Sequence, residues 1–387
     1  MLSSSAIQSL VTPCYVYDTA LLDATLAAIL SEIEGHPNYC VHYAIKANAH
    51  PEILRRIALA GLGADCVSGG EIRAALEAGF PPKSIVYAGV GKADWEIIAG
   101  LEAGIGMFNV ESIPELEVIN EIAGSMNKRA DICFRINPDV GAHTHANITT
   151  GLAENKFGIA MADMEAVISA AKQMDNIHFV GLHFHIGSQI LVMDDFVALC
   201  QRINQLQDRL EEEGITDVHI INVGGGLGID YMEPDQHPIP DFHTYFQTYA
   251  DTLKLRPGQQ LHFELGRAVV GQMGALLTRV LYIKEGHVKH FAIVDAGMTD
   301  LIRPALYDAH HRIDCCDASA SDMQTYDVVG PICESSDVFA TDYPLPRLHR
   351  GDLLAIRSAG AYGEAMASTY NCRPLPKAYL TDQLTEA

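Results

Sequence analysis

Within CVHYAIKANAH a single lysine closes an apolar stretch, Cys40–Ile45. The stretch has the short, pleat-filling composition of a buried strand, and Lys46 stands at its end. A lysine so placed either snorkels to water or uses its amine. An amine desolvated at a strand end has the lowered pKa that attack on an aldehyde requires, the chemistry of a Schiff-base lysine. Glu264 and Arg267, three apart in FELGR, form either a simple ion pair or a carboxylate set against a protonated heterocycle. The run Gly224-Gly225-Gly226-Leu227-Gly228 can cradle a phosphate with bare backbone N–H groups, or serve as a tight strand exit. It is not a dinucleotide fingerprint, because the last required glycine falls on Ile229. His183 and His185 lie two apart on a strand and point the same way. They are half of a metal site, with His143 and His145 as companion pair, or else His183 is a core histidine and His185 stacks on a flat cofactor. The second reading fits better, and no metal is expected.

These side chains need a scaffold that brings strand ends together. From Tyr39 to about Arg267 short apolar strands alternate with helical segments such as Pro51–Ala60, Glu71–Ala78, Ile113–Ile122 and Phe196–Leu210. Eight strands are legible: YCVHYAIK, GADCVSG, SIVYAGVG, IGMFNVES, ADICFRIN, FVGLHFHIGS, VHIINVGGG and LHFELGR. That number of βα units predicts a closed (β/α)8 TIM-like barrel with functional residues at the C-terminal strand ends. Those ends carry Lys46, Ser68, Asn109, Arg135, His185, Ser188, the glycine run, Glu264 and Arg267. Residues 137–160 read as a long loop after the fifth strand, inserted at the active site. Beyond Arg267 the runs GALLTRVLYIKEG, KHFAIVDAG, TYDVVGPIC and GDLLAIRSAG predict an all-β second domain, a β-sandwich or β-barrel. The early run CYVYD can join it. The expected division is a barrel over 22–267, inserted between 1–21 and 268–387 of the β domain.

Composition narrows the function. A formal charge of −23 over 387 residues opposes nucleic acid or an anionic membrane as partner. No apolar run approaches a membrane span. The first residues, MLSSSAIQSLVTPCYVYD, lack the basic residue and apolar core of a secretory signal. Nine scattered cysteines without a CxxC pair suit reduced thiols, so a cytoplasmic location is expected.

Together the motifs YAIKAN, VSGGEI, GLHFHIGSQI, VGGGLG, FELGR, VDAGMTDLIRPALYDAHH, VVGPICESSDVFA and GAYGEAMASTYNCRPLP span nearly the whole chain. They resemble the pyridoxal-phosphate decarboxylases built on an alanine-racemase-like barrel. Within that group the chain is most similar to the branch that converts meso-2,6-diaminopimelate to L-lysine and CO2, the last step of bacterial lysine synthesis. The resemblance implies pyridoxal 5'-phosphate on Lys46, with His185 stacked on its ring and Glu264 at its ring nitrogen. Ser188, Gly225 and Gly226 would hold the phosphate, with Gly266, Arg267 and Tyr362 also at the cofactor. Arg267, Arg303, Tyr307, Glu334 and Tyr362 would contact the small amino-acid substrate, and Cys333 would donate a proton. Cys333 and Glu334 would come from the other copy in a homodimer with shared active sites. One departure stands out: Leu265 occupies the place of the family's usual proline, which puts the backbone path at Gly266 in question.

The residue types support this substrate separately. Diaminopimelate carries an ammonium and a carboxylate at its unreacting end, so an acid and a guanidinium must hold it; Glu334 and Arg303, with Arg267, are of the right kinds. A simple diamine precursor would need no second cation. Three other classes compete. A non-catalytic cofactor-binding barrel would lack the domain bearing Cys333 and Tyr362. A racemase would place arginine where Glu264 stands. A metal-dependent hydrolase would use the histidines.

Overall fold

The computed structural model describes residues 7–141, 156–316 and 322–384. His143, His145 and most of the loop 137–160 lie outside them. The strands are β1 (Cys14–Tyr17), β2 (Tyr39–Ala44), β3 (Gly63–Cys66), β4 (Ile85–Tyr87), β5 (Met107–Val110), β6 (Ala130–Asn137), β7 (Ile159–Ala160), β8 (Ile177–His183), β9 (Ile220–Asn222) and β10 (Gln260–Leu265). They are followed by β11 (Gly274–Glu285), β12 (His290–Val294), β13 (Ile313–Cys315), β14 (Met323–Val329), β15 (Val338–Pro346), β16 (Leu353–Ile356) and β17 (Lys377–Leu380). The helices are α1 (Thr19–Ile33), α2 (Pro51–Leu59), α3 (Gly69–Ala78), α4 (Asp94–Ala103), α5 (Ile113–Ser125), α6 (Met164–Lys172), α7 (Met193–Glu212), α8 (Phe242–Thr252), α9 (Arg267–Val270) and α10 (Arg303–Tyr307).

One unit comprises Leu26–Gly228 and Asp241–Gly266. Its eight main strands run β5-β4-β3-β2-β10-β9-β8-β6, and a β5–β6 pairing closes the ring, with β7 added beside β6. All these pairings are parallel, so every main strand delivers its C-terminal end to the same rim. The eight strands read from sequence are these eight. Alternation along β10 shows how the barrel is filled. Phe263 faces outward, with its ring 4.9 Å from Phe246 and 5.2 Å from Tyr249 of α8. Its neighbours His262 and Glu264 therefore point into the barrel. Leu265 keeps the strand straight to its last rung, paired with Tyr43 of β2, and is fully buried. The backbone thus remains extended up to Gly266 without the family's proline.

The other unit comprises Met1–Thr25, Ile229–Pro240 and Arg267–Ala387. The segment Ile229–Pro240 groups with this unit, whereas the expected limits kept it with the barrel. The strand order is β13-β16-β11-β12-β14-β15, mostly antiparallel, with β12 and β14 parallel. Strand β1 is the predicted CYVYD element, antiparallel to β11 and parallel to β17. Strands β13, β15 and β17 escaped the sequence reading. Two are three or four residues long, and β15 carries Pro344 and Pro346 at its end, which speaks against a strand except at an edge. An edge is where β15 lies.

Candidate active site

Four barrel strands converge on one carboxylate. Glu264, at the end of β10, is 7% exposed. Its Oε1 accepts from Asn222 Nδ2 at 2.8 Å and from Asn109 Nδ2 at 3.2 Å, while Oε2 lies 3.0 Å from His183 Nε2. His183 Nδ1 is buried with no partner among the described residues, so the ring proton belongs on Nε2, donated to Glu264. Burial works against the Glu264 charge, but His183 first and then Lys46 hold its carboxyl well below the usual range. Glu264 is an anion fixed in place by three donors. Sequence reasoning placed Asn109 at the rim without a task and missed Asn222. Its signal was position: it ends β9, two residues before the glycine run.

Lys46 follows β2 in a single 3-10 turn, Ile45–Ala47. Its Nζ lies 3.8 Å from Asp65 Oδ2 at the end of β3. The expected desolvation is not found: the Lys46 side chain is 42% exposed, because the turn lifts it off the strand onto the rim. Asp65 is the buried partner. Burial, then the Glu264 charge, push its carboxyl well above the ordinary range, and Lys46 offsets this only in part. The rim therefore sets a Glu264 carboxyl held low beside an Asp65 carboxyl pushed up.

His185 is half-buried. Its Nδ1 accepts from Gly225 N–H at 3.3 Å. Burial first, then the positive charges of Arg135 and Lys46, keep the imidazole well below its ordinary pKa, hence neutral. The loops after β8 and β9 are zipped together: Ile190 N–H donates to Gly226 O and Gly228 N–H to Ile190 O, both at 2.9 Å. This sets Ser188 beside the glycine run. A Cβ on Gly225 would lie 1.9 Å from the Glu264 carbonyl oxygen, so close strand packing alone demands glycine there. Gly224 N–H donates to Asn222 Oδ1 at 2.9 Å. Two other rim residues have structural partners. Ser68 Oγ caps α3 by accepting from Glu71 N–H at 3.2 Å, and Arg135 Nη1 donates to Glu111 Oε1 at 3.3 Å.

The β unit holds a second cluster. Arg267 and Arg303 are 6% and 5% exposed, and both give an Nη1–H to the hydroxyl of Tyr231, at 2.6 and 2.9 Å. The Arg267 guanidinium also lies 4.9 Å from the centre of the Tyr362 ring. Arg303 Nη1 lies 2.8 Å from His311 Nε2. Burial, and after a partial offset by Tyr231 the nearby Arg267 charge, pull the Arg303 guanidinium below its usual range. Glu264 and Arg267, weighed from sequence as an ion pair, have the partners given above for each. Tyr307 ends α10, the helix that Arg303 begins. Cys333 and Glu334 stand in the loop between β14 and β15. Cys333 is exposed, and its N–H donates to Asn371 Oδ1 at 3.1 Å; Glu334 Oε1 accepts from Tyr370 at 2.6 Å. The structure brings the two arginines together with Tyr362 but gives this loop separate partners. Among the described residues no group of three or more His, Cys, Asp or Glu is placed to hold a metal.

Residues 23–271 match the family described as pyridoxal-dependent decarboxylase, pyridoxal binding domain. The chain belongs to this family. A diaminopimelate decarboxylase of Bacteroides thetaiotaomicron is 65% identical over 377 residues, with 97% of each chain covered. That of Aquifex aeolicus is 41% identical over 95% of this chain and 86% of its own. The crystal structure of the Helicobacter pylori diaminopimelate decarboxylase complexed with L-lysine superposes with a TM-score of 0.90 at 40% identity, covering 97% of this chain and 92% of that one. The residues present fit pyridoxal 5'-phosphate, the cofactor of these decarboxylases. A solvent-reachable lysine amine, an ionised carboxylate and a neutral imidazole stand at one rim. Asp65 Oδ1 and Asn109 Oδ1 are buried there without partners among the described residues.

Proposed function

We propose that this chain removes one carboxyl group of meso-2,6-diaminopimelate to give L-lysine and CO2, with its residues in the following roles. Pyridoxal 5'-phosphate, when bound, supplies an aldehyde for the substrate amine and a ring that accepts the electron pair left by CO2. Lys46 holds the cofactor through its amine and gives way to the substrate. Glu264, kept ionised by His183 and then Lys46 and braced by Asn109 and Asn222, holds a proton on the ring nitrogen. His185 covers a ring face as a neutral imidazole, and Ser188, Gly225 and Gly226 hold the phosphate. Gly266 sets the chain path from Glu264 to Arg267. Arg267, Tyr307 and Tyr362 orient the substrate; Glu334 takes its distal ammonium and Arg303 its distal carboxylate. Cys333 delivers the proton that replaces the carboxyl group. Cys333 and Glu334 act from a second copy of the chain, so the working form is a homodimer, and the free thiols suit the cytoplasm. No helix among the described residues is long and apolar enough to cross a membrane.

The observation that carries this reading is the Glu264 network: a buried anion braced by three donors on the strand next to that of Lys46. Incubation of the cofactor-loaded protein with meso-diaminopimelate should release lysine and CO2 in equal amounts. Release from ornithine or lysine but not from diaminopimelate would reassign the substrate.

A further inference from the structure

Two buried guanidinium groups sharing one phenol is an unusual arrangement, because like charges repel most where water is scarce. Tyr231 does not neutralise them as a phenol; it accepts one N–H from each, at 2.6 and 2.9 Å. Both acceptor positions of its oxygen are then occupied, and its own O–H proton is left to donate. Among the described residues no carboxylate pairs with Arg303, and Arg303 Nε is buried without a partner. Charge, spare donors and burial together call for an anion.

His311 fixes the cluster's geometry. It is 1% exposed, and its Nδ1 lies 2.8 Å from the Arg357 carbonyl oxygen, which can only accept. The proton is therefore on Nδ1, and the bare Nε2 accepts from Arg303 Nη1 at 2.8 Å. One Nη1 hydrogen of Arg303 goes to Tyr231 and the other to His311, which locks the guanidinium in one plane. The Tyr231 ring stands edge-on to His311 with centroids 5.0 Å apart.

We infer that Tyr231 binds the retained carboxylate of the substrate, donating its hydroxyl proton between Arg267 and Arg303, and that His311 is the positioning residue that holds Arg303 for this contact. The inference rests on the diaminopimelate reading above. A clamp of three donors suits the carboxylate that stays, because the one that leaves must lose its charge, and cations on it would oppose that. Tyr231 thereby helps to distinguish a diamino diacid from lysine, which lacks the second carboxylate.

The test is Tyr231→Phe, which keeps the ring and removes the hydroxyl. In the cofactor-loaded enzyme the KM for meso-diaminopimelate should rise on the order of ten- to a hundredfold, with kcat falling far less. Preference for diaminopimelate over lysine should shrink by the same factor. Calorimetric titration with pimelate, the C7 diacid without amines, should show a matching loss of affinity. His311→Ala should act in the same direction, and His311→Gln, whose amide oxygen can still accept from Arg303, should recover most of the loss. Unchanged KM and unchanged pimelate affinity in Tyr231→Phe would overturn the inference, as would a fall in kcat alone. If the wild-type protein failed to decarboxylate diaminopimelate, the substrate reading would fall, while the pimelate titration would still decide the role of Tyr231.

Discussion

At residue scale the roles proposed for Cys333 and Glu264 ask for different tests. Cys333 is an exposed thiol in a loop, and its proposed task is one proton delivery. Cys333→Ala should lower kcat on the order of 10²–10⁴-fold while leaving cofactor loading and the KM for diaminopimelate near wild type, as steady-state kinetics would show. Normal turnover with clean lysine output would remove it from the mechanism. Glu264 depends on its surroundings. Its residue type was legible, because a carboxylate ending the last barrel strand reads as the partner of a ring nitrogen. The braces Asn109, Asn222 and His183 come from three other strands, and only closure of the barrel brings them within hydrogen-bond reach. The Lys46 environment was misjudged for a related reason: a run of apolar letters cannot show that the chain turns before the lysine and lifts it to the rim.

Elements position these groups through close packing and a buried polar floor. The exit of β9 passes so near β10 that Gly225→Ala should cost about 1–3 kcal/mol or more, measured as a lower urea midpoint. Beneath Glu264, His262 Nδ1 meets His42 Nε2 at 3.0 Å inside the barrel. Burial, then His42, lower the pKa of His262 to about 3, against the ordinary 6.5. As pH falls from about 6.5 towards 3 the unfolded chain takes up a proton that the folded one refuses, so this histidine lowers stability by up to about 1.4 kcal/mol per pH unit. His262→Gln should therefore lose less stability than wild type over that window, in urea unfolding at stepped pH. An equal slope would show that His262 titrates normally. At this scale the sequence was most informative for the barrel, where strand and helix patterns repeat. It was least informative for β13, β15 and β17, which are short or proline-marked. Tyr231 lies in the irregular segment Ile229–Pro240, where no period reveals a side chain's direction.

For the whole molecule, the reading of CYVYD as an extra strand of the β domain is what made the barrel an insertion between two parts of that domain. The proposed dimer makes a prediction of its own. If Lys46 and Cys333 serve one site from different copies, mixing Lys46→Ala with Cys333→Ala protein and allowing exchange should restore about a quarter of wild-type activity, from the one good site in each mixed pair. No recovery after proven exchange would place both residues in the same copy. The acidic balance of −23 leaves binding of an anionic cofactor and a diacid to local cations, among them the buried Arg267 and Arg303. The role of Lys46 in cofactor-dependent decarboxylation is tested most directly by a visible absorbance spectrum of the purified protein with pyridoxal 5'-phosphate, taken alongside a lysine assay after addition of meso-diaminopimelate. The wild type should show a cofactor band that is lost in Lys46→Ala, with lysine formed only where the band is present. A Lys46→Ala protein that kept the band and still made lysine would contradict that role.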